Sequence, residues 1–229
     1  MNIIKLINDN EYNLEQKLIG HSISVCNVIE IRNNELISVS CDKTMKIWNI
    51  NNNKYECTNT INFQKSNYSC CNILKLNENE FVTSSYSDKC LKFWNSNNFT
   101  NISTIINIEN YGCLKRNLCK LNDDILCVGG INSKGFYLIK ISTHQLLANI
   151  TGPKIIYSIY KCFDGLFLCS IYENNNYSLI KYKYENQNLI KIFEKEKANF
   201  YYDIFSCIEL NDEIIASGGC DNTISLWRI

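Results

Sequence analysis

Ser38, His21 and Asp42 are the residue types of a nucleophilic triad: a hydroxyl, a base to take its proton and a carboxylate to orient the base. Acyl transfer or hydrolysis is the chemistry they would suggest. Their surroundings argue against it. Ser38 stands ten residues before Trp48 and Asp42 six before it, and the same offsets recur as Ser84, Asp88 and Trp94, and again as Ser217, Asp221 and Trp227. The later sets have no His at the matching place. The register puts Ser66 and Phe200 there, and Pro153 in a further copy. A constellation that is duplicated along a chain, each copy ending on Trp, is a structural signature and not a unique active site. No catalytic residue is assigned, and the chain is expected not to be an enzyme.

Metal chemistry is equally poorly supported by spacing. There are 13 Cys, an odd number, with no Cys-x-x-Cys pair and only two His, His21 and His144, to help them. A structural zinc site wants four clustered ligands. Cys26, Cys90, Cys127, Cys162, Cys169 and Cys207 sit inside apolar runs, where a thiol acts as a small buried hydrophobe. No metal and no cofactor is expected. His144 follows Ser142-Thr143 in a turn, where surface placement is the default.

The elements that position these residues follow from the tryptophans. The chain has three, Trp48, Trp94 and Trp227; the first two are 46 residues apart and the third lies 133 further on, three periods of about 44. A period in the forties means stacked copies of one supersecondary unit. Short β-branched and aromatic runs alternate with Asn, Asp and Gly every eight to twelve residues, as in Leu36–Ser40, Met45–Ile50, Phe81–Ser84, Leu91–Trp94, Phe136–Ile141 and Thr223–Ile229. No long segment carries a helical stripe. Glu185–Lys197 is the most helix-tolerant, yet Leu189–Phe193 inside it fits a strand as well. Two repeats lack the Trp, with Ile139 and Tyr182 in its place.

At 229 residues the chain is long enough for one sizeable core. Lys plus Arg equals Asp plus Glu, at 23 each, which argues against a nucleic-acid partner because phosphate contacts need a basic surface. Met1 to Leu18 is interrupted by Lys5, Asp9, Glu11 and Glu15, so no signal sequence is read there, and no apolar run reaches membrane-spanning length. A cytoplasmic location, or a nuclear one, is the expectation.

Gly20-His21, an apolar strand, then Ser38, Asp42 and Trp48-Asn49 resemble a WD40 repeat in which Asn replaces the final Asp. The resemblance implies an all-β fold, a WD40-type β-propeller of about five four-stranded blades. It implies one domain over 1–229 with repeats near 18–59, 60–101, 102–148, 149–190 and 191–229, and with 1–17 as an N-terminal part-blade. It also implies a hydrogen-bonded tetrad of His, Ser, Asp and Trp. His21, Ser38, Asp42 and Trp48 would make one complete set, and Ser84–Asp88–Trp94 and Ser217–Asp221–Trp227 would make partial ones. The blades with partial sets should be the less rigid. The rim implied for partner binding carries Cys41, Lys43, Ser87, Lys89, Cys220 and Asn222 at its turns. Tyr157 and Tyr202 are the aromatic candidates beside them.

Two closures stay open. The last blade ends on a third strand, and Leu14–Ile19 would fill its missing fourth place, closing a ring of five with Ile3–Ile7 as an accessory strand. Alternatively Ile3–Asn8 and Tyr12–Ile19 are themselves the third and fourth strands of a blade, and the chain is an incomplete arc. The functional reading is a non-catalytic protein-interaction scaffold or adaptor that binds proteins or peptides, with self-association through open blade edges. The alternatives are a propeller enzyme with a central-channel site and a partial WD40 fragment completed by another chain.

Overall fold

The computed structural model describes residues 1–8, 11–63, 70–85, 89–106, 117–130, 135–153, 155–174, 176–197, 204–219 and 223–228, with backbone only for 2–8, 11–14, 70–71, 196–197 and 204–205. Five antiparallel sheets follow one another along the chain as the blades of a β-propeller. The first blade is β3 (Val25–Arg32), β4 (Glu35–Ser40), β5 (Thr44–Asn51) and β6 (Lys54–Asn62), preceded by a hairpin of β1 (Asn2–Asn8) and β2 (Glu11–Lys17). The second is β7 (Cys70–Lys75), β8 (Glu80–Ser85), β9 (Cys90–Asn95) and β10 (Asn101–Ile105). The third is β11 (Leu118–Lys120), β12 (Ile125–Val128), β13 (Gly135–Lys140) and β14 (Gln145–Thr151). The fourth is β15 (Ile155–Lys161), β16 (Phe167–Glu173), β17 (Asn176–Glu185) and β18 (Asn188–Lys197). The fifth has three strands, β19 (Ile204–Asn211), β20 (Ile214–Gly219) and β21 (Ile224–Arg228).

Burial explains the composition of each strand. The second strands of the first three blades, β4, β8 and β12, are buried over most of their length. The fourth strands β6, β10 and β14 are mostly exposed and carry the polar residues. Tight turns join third to fourth strands: Asn52 and Asn53, and Asn186 and Gln187, all take left-handed φ, as a two-residue primed turn requires. The segment 185–197 is therefore a strand hairpin and not a helix.

Four apolar clusters hold the blades together, one at each seam. Met45 and Ile47 meet Ile73 and Trp94 between blades one and two. Val82 and Phe93 meet Leu126 and Ile139 between two and three. Phe136 and Leu138 meet Phe167 and Tyr182 between three and four. Leu168 and Leu179 meet Cys207 and Ile215 between four and five. The seams also carry polar ties. Asn27 Nδ2 donates to Asn72 Oδ1 at 2.6 Å, Asn72 Nδ2 donates to Asn117 Oδ1 at 3.1 Å, and Asn117 Nδ2 donates to Gly129 O at 2.9 Å. These amides stand 45 residues apart, Asn27 on β3, Asn72 on β7 and Asn117 just before β11, so the period writes a ladder across three blades.

The ring is not closed by the strand expected to do so. Neither β1 nor β2 pairs with β21 among the described residues; they pair with each other. The hairpin lies instead beside the first blade, where Gln16 bonds both backbone groups of Tyr55. A closed ring of five needs five seams, and the described residues form four. The two ends of the arc show it: Ile19 and Ile23 stand exposed at the first blade, and Ile224 and Leu226 at the fifth.

Candidate functional site

The first blade places His21, Ser38, Asp42 and Trp48 in one network. His21 Nδ1 lies 2.8 Å from Asp42 Oδ2, and His21 Nε2 lies 2.7 Å from Ser38 Oγ. Trp48 Nε1 donates to Ser38 Oγ at 2.8 Å. The network is satisfied with the imidazole proton on Nδ1, Ser38 donating to Nε2 and accepting from the indole. Asp42 also accepts from the amides of Ser22 (3.0 Å) and Thr44 (2.9 Å) and from the Thr44 hydroxyl at 2.6 Å. Burial alone would raise the Asp42 carboxyl, but the bonds from Thr44, His21 and Ser22 outweigh it and bring its pKa down to about 2. Gly20 packs closely beside this network, where a Cβ would stand 3.1 Å from Trp48 Cη2, a tight contact.

These distances are those of a triad, yet the arrangement has no access. Ser38 is fully buried, and its oxygen is held by the indole. A nucleophile needs a free lone pair and a route for substrate. What the network does is anchor a strand, a turn and the loop before the blade to one buried ring.

The second blade corrects the register. Trp94 Nε1 donates to Thr83 Oγ1 at 2.8 Å and not to Ser84. In the first blade Trp48 pairs with Leu36, and the hydroxyl is two residues on; in the second, Trp94 pairs with Phe81, and two residues on is Thr83. The connection from β8 to β9 is one residue longer than that from β4 to β5, and a slip of one moves a side chain to the other face. Thr83→Val should therefore destabilise by about 1–3 kcal/mol by stranding a buried indole N–H, while Ser84→Ala should cost under about 1 kcal/mol. Urea unfolding of the two variants distinguishes them; equal losses would refute the assignment.

In the fifth blade Trp227 Nε1 donates to Ser217 Oγ at 2.7 Å. Asp88 and Asp221 lie outside the described residues, as do Ser66, Phe200, Ser87, Tyr202, Cys220 and Asn222. In the third blade Ile139 lies opposite Leu126 with Val128 two residues on, so donor and hydroxyl acceptor are lost together. Replacing both partners by apolar groups leaves no stranded polar atom. In the fourth, Tyr182 lies opposite Phe167 with Cys169 two residues on and keeps a phenol in the slot. Burial pushes the Tyr182 phenol well above its ordinary value.

On the rim, Cys41, Lys43 and Lys89 are half-buried, and both lysines take left-handed φ at matching turn positions. Tyr157 is not a rim residue. It is buried in the seam between blades four and five, its ring centroid 6.2 Å from that of Tyr177. His144 is not an ordinary surface residue either. It stacks on Phe93 at 4.1 Å, and its ring nitrogens lie 2.8 Å from Ser103 Oγ and 3.5 Å from Glu80 Oε2.

One group among the described residues has metal-ligand types: Cys162, Asp164 and Glu209, with ligand atoms within 4.8 Å of one another. Lys181 already supplies the positive charge, its Nζ 2.8 Å from both Asp164 Oδ2 and Glu209 Oε1. Sequence reasoning missed this cluster, and no local spacing announces it. The amide ladder was visible in principle, as Asn27, Asn72 and Asn117 recur at 45.

A family model for the WD domain, G-beta repeat, matches residues 12–49 and 202–228. The fold is similar to that of the WD40 β-propeller domain of Doa1, at 22% identity and a TM-score of 0.70, over 93% of this chain and 67% of that one. It is also similar to a chain in the mitotic checkpoint complex, at 14% identity and a TM-score of 0.75, over 95% of this chain and 67% of that one. No curated protein matches the chain by sequence. The repeats with this indole-anchored core, matched by the family model near both ends of the chain, are thus similar to those of the WD40-repeat family.

Proposed function

We propose that the chain is a non-catalytic protein-interaction scaffold. WD40 propellers commonly serve in that way. The observation that carries the reading is the burial of Ser38 under Trp48: the one His–Ser–Asp set holds the core, and the surface is what the chain offers to others. The turns that carry Cys41, Lys43 and Lys89 form the partner-binding rim in this reading. The proposed partners are proteins or peptides, the neutral charge giving no attraction for nucleic acid. Asn suits left-handed φ, so a Lys43→Asn/Lys89→Asn double variant removes two rim charges without straining either turn. Affinity capture with purified protein should return a partner whose recovery falls about tenfold with this variant, a loss of about 1.4 kcal/mol. Identical capture by both forms would overturn the rim assignment.

The uncovered Ile19, Ile23, Ile224 and Leu226 favour a second reading, in which another protein surface covers the ends of the arc. Sedimentation at rising concentration tests whether that surface is a second copy. A monomer throughout would refute self-association.

A further inference from the structure

We propose that Cys26 and Cys41 form a thiol–disulfide exchange site, a dithiol that low-molecular-weight disulfides convert to an intramolecular bond. Their Sγ atoms lie 3.2 Å apart. Both side chains are partly exposed, unlike Cys90, Cys119, Cys127, Cys162, Cys169 and Cys207, which are buried. Burial also pushes the thiols of Cys119, Cys127, Cys162 and Cys169 up, which keeps them protonated and unreactive.

The backbone holds the pair in place. Val25 pairs with Ser40 and Asn27 with Val39, so Cys26 is the extra residue of a β-bulge. A bulge re-aims its side chain, here toward the turn after β4. The Cys41 amide donates to Ser24 O at 3.1 Å and fixes the other half. Joining the two sulfurs needs a closure of about 1.2 Å, to the ordinary S–S length of about 2.0 Å.

The chemistry balances with a disulfide such as oxidised glutathione. The thiolate of one cysteine attacks a glutathione sulfur; a protein–glutathione S–S bond forms, the glutathione S–S bond breaks, and one glutathione thiolate leaves. The thiolate of the other cysteine then attacks the protein-bound sulfur, forming the Cys26–Cys41 bond and releasing the second glutathione. Two protein thiols are oxidised, one glutathione disulfide is reduced to two thiols, and the protons end on those thiols. Cys41 directly precedes Asp42, so the bond ties the bulge of β3 to the residue that receives His21, Ser22 and Thr44. The site thus couples the redox state of a surface pair to the network around Trp48.

The test is a titration of the folded protein in glutathione buffers, read by differential alkylation and peptide mapping. The expected product is a 26–41 cross-link, formed in preference to a mixed disulfide at either residue. The Trp48 indole N–H resonance should shift with the same midpoint. Cys26→Ser and Cys41→Ser should each abolish the cross-link and leave the remaining thiol as a stable glutathione adduct. Exposed Cys57 reports that the oxidant is active. If Cys57 is modified while Cys26 and Cys41 stay reduced, or carry glutathione without joining, the proposal fails. A cross-link that leaves the indole resonance unmoved would overturn the coupling to Trp48.

Discussion

Lys181→Ala should destabilise the protein by about 3–5 kcal/mol, the loss expected when one partner of a buried ion pair is removed. The lysine side chain is 7% exposed and that of Glu209 only 1%. Glu209 has two partners, Lys181 Nζ at 2.8 Å and the Phe163 amide at 2.6 Å. Burial pulls the lysine pKa down, but its bonds to Asp164 and Glu209 outweigh this and raise it, so the ammonium keeps its charge. Asp164 moves the other way: burial raises its carboxyl, and the Lys181 and Leu166 bonds bring it below the ordinary value. Removing the ammonium leaves the buried Glu209 carboxyl without its lysine partner in the seam between blades four and five. The position itself does not demand a charge. By strand register Lys181 corresponds to Ile47 of the first blade, which is fully buried. A Lys181→Ile/Glu209→Leu double variant should therefore recover most of the loss. Urea unfolding of the single and double variants decides the point, and a Lys181→Ala loss under about 1 kcal/mol would show that the ammonium is not the counter-ion of Glu209.

The second large effect concerns acid. Asp42 has a pKa of about 2 in the folded protein against an ordinary 3.8. A carboxylate depressed by folding contributes stability that is present above the unfolded pKa and lost as pH falls through the folded one. The shift corresponds to about 2 kcal/mol at neutral pH, and a side chain only 5% exposed is little screened by solvent. Asp42→Asn should thus be destabilised relative to the parent by about 2 kcal/mol above pH 5, and the gap should shrink toward zero as pH approaches 2. Denaturation midpoints of both proteins across that range measure it. A gap constant with pH would mean that shape, and not charge, anchors the turn.

The propeller was legible because its signal is repetition. Three Trp at one period set the register of three blades, and alternating strands supplied the other two. Where the sequence reading went astray, the cause was geometric. A turn longer by one residue put Thr83 and not Ser84 under Trp94, although a gapless alignment favours the serine. Tyr157 reads as an exposed aromatic beside a strand, yet a neighbouring blade covers it. His144 reads as a turn residue, yet Phe93 and Ser103 draw it between blades. The Lys181 cluster joins residues 164, 181 and 209, brought together only by the stacking of sheets. Closure depended on which strand pairs with β21, a tertiary contact that a repeat period does not encode.

The amide ladder bears on how the array answers to temperature. Asn27, Asn72 and Asn117 bind blades one to three by polar contacts, and the Lys181 ions bind four to five. Between blades three and four the described residues offer a broad apolar seam and the backbone bond from Ile156 to Gly130. Apolar contacts weaken on cooling. Cooling should therefore loosen the seam between blades three and four ahead of those that amides and ions also tie.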